Sequence, residues 1–205
     1  MYEMEKKQLE EICHLLYQRN LVSASDGNVS VRVNDEHILL TPSGRNKGMV
    51  RAEEMIVCDL AGNVVEGKGK ASKEYPMHRI IYRNRPDVRA VVHTHPVFST
   101  AFALAGKTLP DDYLIEMRMM LGGVALTDYA TPGTLEMADA VAPFLADYSA
   151  VLLKNHGAVT WGKSLEDAFD KMEVMESIAK TIIMSKVIGE PERISPENMA
   201  KMKKK

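Results

Sequence analysis

The feature that most restricts what this chain can fold into is a succession of short β-branched runs joined by turn-forming residues. Val29 to Val33, Ile38 to Thr41, Met55 to Leu60 and Val64 to Glu66 read as strands, broken by Asn-Asp, Pro-Ser-Gly and Ala-Gly-Asn turns. Such connections make hairpins, and hairpins make antiparallel neighbours. Helical patterns surround them. Leu9, Ile12, Leu15 and Leu16 recur at helical spacing within residues 3 to 20. Further helices are expected from about Lys73 to Asn84, from Leu135 to Leu145, and from Ser164, as N-cap, to Val187. Strands are expected again at Val88 to Val92, Ala150 to Lys154 and Ala158 to Trp161. Hairpins mixed with helices, without a regular βαβ repeat, predict an α/β chain with a largely antiparallel sheet covered by helices.

Composition bounds the function. With 205 residues, 45% of them hydrophobic, the chain can bury one substantial core, and a single domain over residues 1–205 is expected. A formal net charge of -2 leaves no basic footprint for nucleic acid. No apolar run approaches the ~20 residues of a membrane span, and MYEMEKKQLEE lacks a signal-peptide core. A soluble, cytoplasmic protein is the expectation. Cys13 and Cys58 form no metal motif and read as buried thiols. The KMKKK end reads as solvated.

Two histidines stand one residue apart in AVVHTHPVFSTAFA, at the end of the strand that begins at Val88. Side chains on a strand alternate, so His93 and His95 share a side. A third, His156 in LLKNHGAVTWG, sits where an apolar strand gives way to a glycine turn. Three imidazoles on strand ends are either polar residues satisfied separately or a catalytic metal site with a position left open. In GKASKEYPMHRIIYR, Ser72 is a candidate N-cap and Glu74 lies in the first helical turn, where a carboxylate often only complements the helix dipole. The same helix start, with Ser72 and Lys73, could offer N–H groups to a phosphate. SASDGNVS, with Gly27 and Asn28, and TPSGRNKG, with Ser43 and Gly44, could join it in an anion cradle.

GNVS, TPSG, SKEYPMH, HTHP and KNHGAVTWG stand in the same order and at similar spacings as in the class II aldolase/adducin family, which the chain resembles from its first helix to about Ile188. The resemblance implies a three-layer α/β/α fold around a mainly antiparallel sheet, assembled as a homotetramer with active sites at subunit contacts. It implies one zinc ion per subunit on His93, His95 and His156, with Glu74 as catalytic base and as a further zinc ligand before substrate binds. Gly27, Asn28, Ser43, Gly44, Ser72 and Lys73 fall on the phosphate loops. Tyr113, in LPDDYLIE, matches a tyrosine that acts on the aldehyde half of the substrate.

The implied activity is that of a zinc-dependent aldolase, cleaving a phosphorylated sugar, a ketose 1-phosphate, to dihydroxyacetone phosphate and a short aldehyde. A sugar-phosphate dehydratase or epimerase of the same family is the alternative, and a non-catalytic assembly module the reading from a different class. Glu74 stands where epimerases typically carry aspartate, and the histidine triad, absent from adducin-like members, is whole. Lys73 replaces a serine frequent in the aldolases, and no aromatic residue follows Gly189, where they usually place one over the active site. His78, four residues after Glu74, reads as structural or orienting. His14 and His37 are assigned no function, and Trp161 is expected in a core or interface. The apolar residues Phe169, Met172, Met175, Ile178, Ile182 and Ile183 exceed what one helix face needs for its own core, which suits subunit contacts.

Overall fold

A computed structural model describes residues 1–202; of the lysine-rich end, residues 203–205 lie outside the described part. Eight strands form one sheet: β1 (Asn28–Arg32), β2 (His37–Leu40), β3 (Ile56–Asp59), β4 (Val64–Glu66), β5 (Ala90–Thr94), β6 (Ala125–Leu126), β7 (Ala150–Leu153) and β8 (Gly157–Gly162), in the order β4-β3-β2-β1-β5-β8-β7-β6. The hairpins expected from the turn residues are present: β1 pairs with β2, β2 with β3 and β3 with β4, all antiparallel. β7 and β8 pair antiparallel as well. One pair departs from the expectation. β6, a strand the periodicity did not announce, runs parallel to β7. The chain returns between them through α4 (Leu135–Val141), the crossover that a parallel pair requires.

The other helices are α1 (Glu3–Gln18), α2 (Tyr75–Asn84), α3 (Val97–Leu104), α5 (Leu165–Ile188) and α6 (Pro196–Lys201). Among the described residues no helix is long and apolar enough to cross a membrane. Alternation along the strands divides the core in two. Val29, Leu39, Val57, Val92, Leu152 and Ala158 join one cluster with α1, α3 and α5. Ile38, Leu40, Ile56, Val91, Val151 and Trp161 join the other with α2 and α4. The sheet therefore lies between two helical sets, which is why its central strands are apolar on both faces.

Three helical expectations change. The second helix begins at Tyr75 rather than Lys73, so Ser72 is not its N-cap; Ser72 Oγ accepts only the Glu74 N–H, at 3.3 Å. The third ends as an α-helix at Val141 and continues as a 3-10 turn, Ala142–Phe144. On α5, Phe169, Met172, Met175, Ile178 and Ile182 are all buried within their own chain. Most of the apolar excess read as subunit contact is thus absorbed by the intrachain core; Ile183 is half-buried, and α5's exposed apolar residues are Met184, Val187 and Ile188 near its end. Ser164 caps α5 as expected, its Oγ accepting the Asp167 N–H at 3.1 Å. α3 arises in an unassigned segment: the Phe98 and Ser99 N–H groups both donate to the Glu176 carboxylate of α5 at 2.8 Å.

Candidate active site and metal centre

The site forms where three central strand ends meet. β5 lies between β1 and β8 and runs antiparallel to both, so the ends of β5 and the starts of its neighbours coincide. Asn28 pairs with His93, and Thr94 with Ala158. His95 follows the last residue of β5, and His156 stands in the three-residue turn between β7 and β8. Glycine permits this closeness. A Cβ at Gly27, where φ is +70°, would stand 2.6 Å from the His93 carbonyl oxygen, and one at Gly157 would stand 2.5 Å from that of Thr94. Larger residues would force both turns away from the end of β5.

The three histidines that the sequence singles out converge. One nitrogen from each lies within 4.8 Å of the others, and the ring centroids are 4.8 to 5.0 Å apart. His93 Nδ1 hydrogen-bonds the Ala158 carbonyl at 2.9 Å. That acceptor fixes the proton on Nδ1 and leaves Nε2 bare, the arrangement of a metal-ligating imidazole. His93 Nε2 and His95 Nε2 are 3.2 Å apart, close to the about 3.3 Å that separates two ligands of a tetrahedral ion at ~2.0 Å. Burial first, and then His93, lowers the His95 and His156 pKa values to about 4. Neutral imidazole is the form that a divalent metal takes.

Glu74 completes the donor set. It occupies the N-cap position of α2, yet its side chain makes no cap bond and is turned instead to β1 and the histidines. Oε2 lies 3.1 Å from His93 Nε2 and accepts from Asn28 Nδ2 at 2.7 Å, while Oε1 approaches His156 Nε2 at 3.4 Å. Oε1 is otherwise a buried oxygen without a hydrogen bond, which suits a cation or a proton in transfer. Burial works to raise the Glu74 carboxyl, but His93, His156 and the Asn28 amide outweigh it and hold the group below the usual carboxylate range. His93, His95, His156 and Glu74 together could hold one divalent metal.

Beside them opens a cavity of about 230 Å³ lined by the other predicted residues: Gly27, Asn28, Ser43, Gly44, Ser72 and Lys73, with Glu74 and His95 at its metal side. Tyr113 is not among the lining residues. It packs half-buried on the α1/α3/α5 cluster, with the Arg193 guanidinium 4.8 Å above its ring.

Sequence reasoning missed Lys47, which also lines the cavity and is 1% exposed. Its ammonium donates to the carbonyls of Ser25 and Arg45 at 3.0 Å each, tying two predicted phosphate loops together. Burial lowers its pKa, an effect that Cys13, Asp26 and Glu74 oppose. Among the described residues no carboxylate pairs with it directly. Nothing in TPSGRNKG marks this lysine as buried. The second layer around Glu74 also escaped the sequence: Asn28, His78, Ser30 and Tyr82 are linked by hydrogen bonds. Burial first and then His93 lowers the His78 pKa to about 3, so it is neutral. The remaining histidines have local partners, His14 with the Val50 carbonyl and His37 with the Tyr2 hydroxyl. Cys13 and Cys58 are free and buried, and Trp161 is fully buried.

Comparison with known proteins agrees with this arrangement. The family model for the class II aldolase and adducin N-terminal domain matches residues 7–183. The chain is 43% identical over 184 residues to L-fuculose phosphate aldolase of Methanococcus vannielii, covering 89% of this chain and 98% of that one. It is 33% identical over 207 residues to 5-deoxy-D-ribulose 1-phosphate aldolase of Bacillus thuringiensis serovar kurstaki, covering 98% and 95%. A solved L-fuculose 1-phosphate aldolase superposes with a TM-score of 0.86 at 34% identity, covering 95% of this chain and 92% of that one. With the match spanning most of the chain and the histidine triad and carboxylate in one site, this protein belongs to the class II aldolase and adducin family, among its lyases.

Proposed function

We propose that the protein is a zinc-dependent aldolase that cleaves L-fuculose 1-phosphate, or a similar deoxyketose 1-phosphate, to dihydroxyacetone phosphate and a short aldehyde. One observation carries the reading: a half-buried carboxylate that faces three converging imidazoles lines a single cavity together with one of them, His95, and with a buried ammonium. The names of the relatives, aldolases of phosphorylated deoxysugars, favour the same substrate class.

His93, His95 and His156 would hold the zinc ion, which would supply Lewis-acid stabilisation of negative charge developing on a carbonyl oxygen. Glu74 takes the proton from the hydroxyl-bearing carbon of dihydroxyacetone phosphate in the synthetic direction and returns it in cleavage. The phosphate enters the cavity of Gly27, Ser43, Gly44, Ser72 and Lys73. Its charge there meets the Lys47 ammonium, a buried cation with no direct carboxylate partner among the described residues, for which an anion is the natural complement. Asn28 has one amide hydrogen on Glu74 and a second for the substrate. These contacts orient the reacting carbon rather than perform chemistry. Tyr113 gives its proton to the aldehyde oxygen. It does not line its own chain's cavity, so in this reading it would act on the site of a neighbouring subunit in a homotetramer with shared sites.

Solvent-deuterium exchange tests the base. Zinc-loaded wild type should exchange one hydrogen of dihydroxyacetone phosphate without aldehyde, and Glu74→Gln should lose at least ~100-fold of that rate. Tyr113→Phe should spare exchange and slow condensation with lactaldehyde. Wild type that shows neither exchange nor cleavage of a ketose 1-phosphate would transfer the reading to the dehydratase or epimerase alternative.

A further inference from the structure

Behind Glu74 four side chains form one hydrogen-bonded file whose direction is forced. A carboxylate about to take a proton can only accept, so Asn28 presents Nδ2–H to Oε2, at 2.7 Å. The Asn28 carbonyl oxygen is thereby turned to His78, and His78 Nε2 must donate to it. A neutral imidazole has one donor and one acceptor, so Nδ1 accepts from Ser30 Oγ at 2.6 Å. With its hydrogen committed, Ser30 Oγ accepts from the Tyr82 hydroxyl at 2.8 Å. Reversing any one step would set donor against donor or acceptor against acceptor.

The file joins two regular elements. Asn28 and Ser30 are two residues apart on one side of β1, while Glu74, His78 and Tyr82 repeat every four residues along one face of α2 and its N-cap. Buried polar groups need partners in any protein. What distinguishes this file is that it ends on the carboxylate that faces the three imidazoles. Without the Nε2–H, the Asn28 amide is free to rotate and turn its oxygen towards Glu74, which would repel the carboxylate from its place. We propose that His78 is a positioning residue of the active site, whose Nε2–H locks the Asn28 amide and so aims Glu74 at the substrate carbon. The function assigned to that aim rests on the aldolase reading; the wiring does not.

Two measurements separate them. Nitrogen-15 spectra of the zinc-loaded protein should show His78 as the Nε2–H tautomer, whatever the reaction; an Nδ1–H tautomer would overturn the proposal. For the kinetics, His78→Gln retains a side-chain amide that can donate towards Asn28, whereas the shorter His78→Asn reaches only as far as Ser30. His78→Asn should lower the rate of deuterium exchange into dihydroxyacetone phosphate by about 10- to 100-fold, the usual cost of a residue acting through a ligand. Its KM and zinc content should stay near wild type, and His78→Gln should recover much of the rate. If the two variants melt at lower temperature but exchange at the wild-type rate, His78 is a packing residue and the proposal fails. A zinc-loaded wild type with the Nε2–H tautomer but no exchange would retire the aldolase reading and leave the wiring standing.

Discussion

The two halves of the site are built by opposite strategies. On the metal side, Asn28, His78 and His93 are buried on β1, α2 and β5, and His95 and His156 stand within three residues of a strand end. On the phosphate side, Ser43, Gly44 and Lys73 are exposed and lie in loops, and Lys47, in the same loop as Ser43, is buried. The difference follows from what each half must do. Removing a proton from carbon requires the base to be aimed within a small fraction of an ångström, which packed elements provide. A phosphate presents oxygens in several directions and is held by backbone N–H groups, which loops present well enough. Lys47 bridges the two strategies, a buried charge whose hydrogen bonds hold two loops at a fixed separation.

The largest expected effect lies in the metal half. His95→Ala and His156→Ala should each lose about one bound metal per chain by elemental analysis, since two imidazoles cannot replace three in a site of this type. Full metal content in both variants would remove the triad from the assignment.

In the phosphate half the effects should be graded by burial. Lys47→Met keeps the aliphatic stem and removes the charge, and should raise KM for a ketose 1-phosphate by about 10- to 100-fold, the worth of hydrogen bonds from a charged group. Ser43→Ala, at an exposed position, should raise it about 2- to 10-fold, as for a neutral hydrogen bond. Equal effects at the two positions would erase the distinction drawn above.

The smallest effect concerns acid. His95 and His156 titrate near 4 and His78 near 3 in the folded chain, against 6.5 for an unperturbed imidazole. Below pH 6.5 the unfolded chain therefore binds protons that the folded one refuses, and stability falls as pH falls through that window. Glu74, depressed from 4.5, adds a loss below that value in the same direction. The metal-free protein should unfold at lower urea concentration at pH 5 than at pH 7. An unchanged midpoint would contradict burial of neutral imidazoles in the metal half.

Legibility in the sequence followed the range of the interaction involved. The hairpins β1–β2 and β3–β4 were readable because turn residues and alternation act over a few positions. α3 was not, because its segment is apolar or small nearly throughout and its first N–H groups are satisfied by Glu176, 77 and 78 residues away. The start of α2 was misread for a similar reason: Ser72 and Glu74 both have capping chemistry, and what draws Glu74 away from its own helix is Asn28 and His93 on other strands. α5 looked too apolar for one face because, besides the adjacent β8, it is covered by α3 and α1, which come from distant parts of the chain.

By itself, then, the sequence determined the chemical inventory: three histidines at strand ends, a carboxylate at a helix start, glycine turns that can hold an anion. These are properties of residue type and of periods of two or 3.6 residues, which a local stretch carries whole. The tertiary structure alone decided that β5 lies between β1 and β8, so that Asn28, His93 and the turn bearing His156 meet at one end of the sheet. It also decided that Lys47 is buried while Lys73 is not. Strand order is fixed by which apolar faces cover one another across the whole core, and the burial of one lysine by the loops that close over it, and neither quantity is held in any single segment of chain.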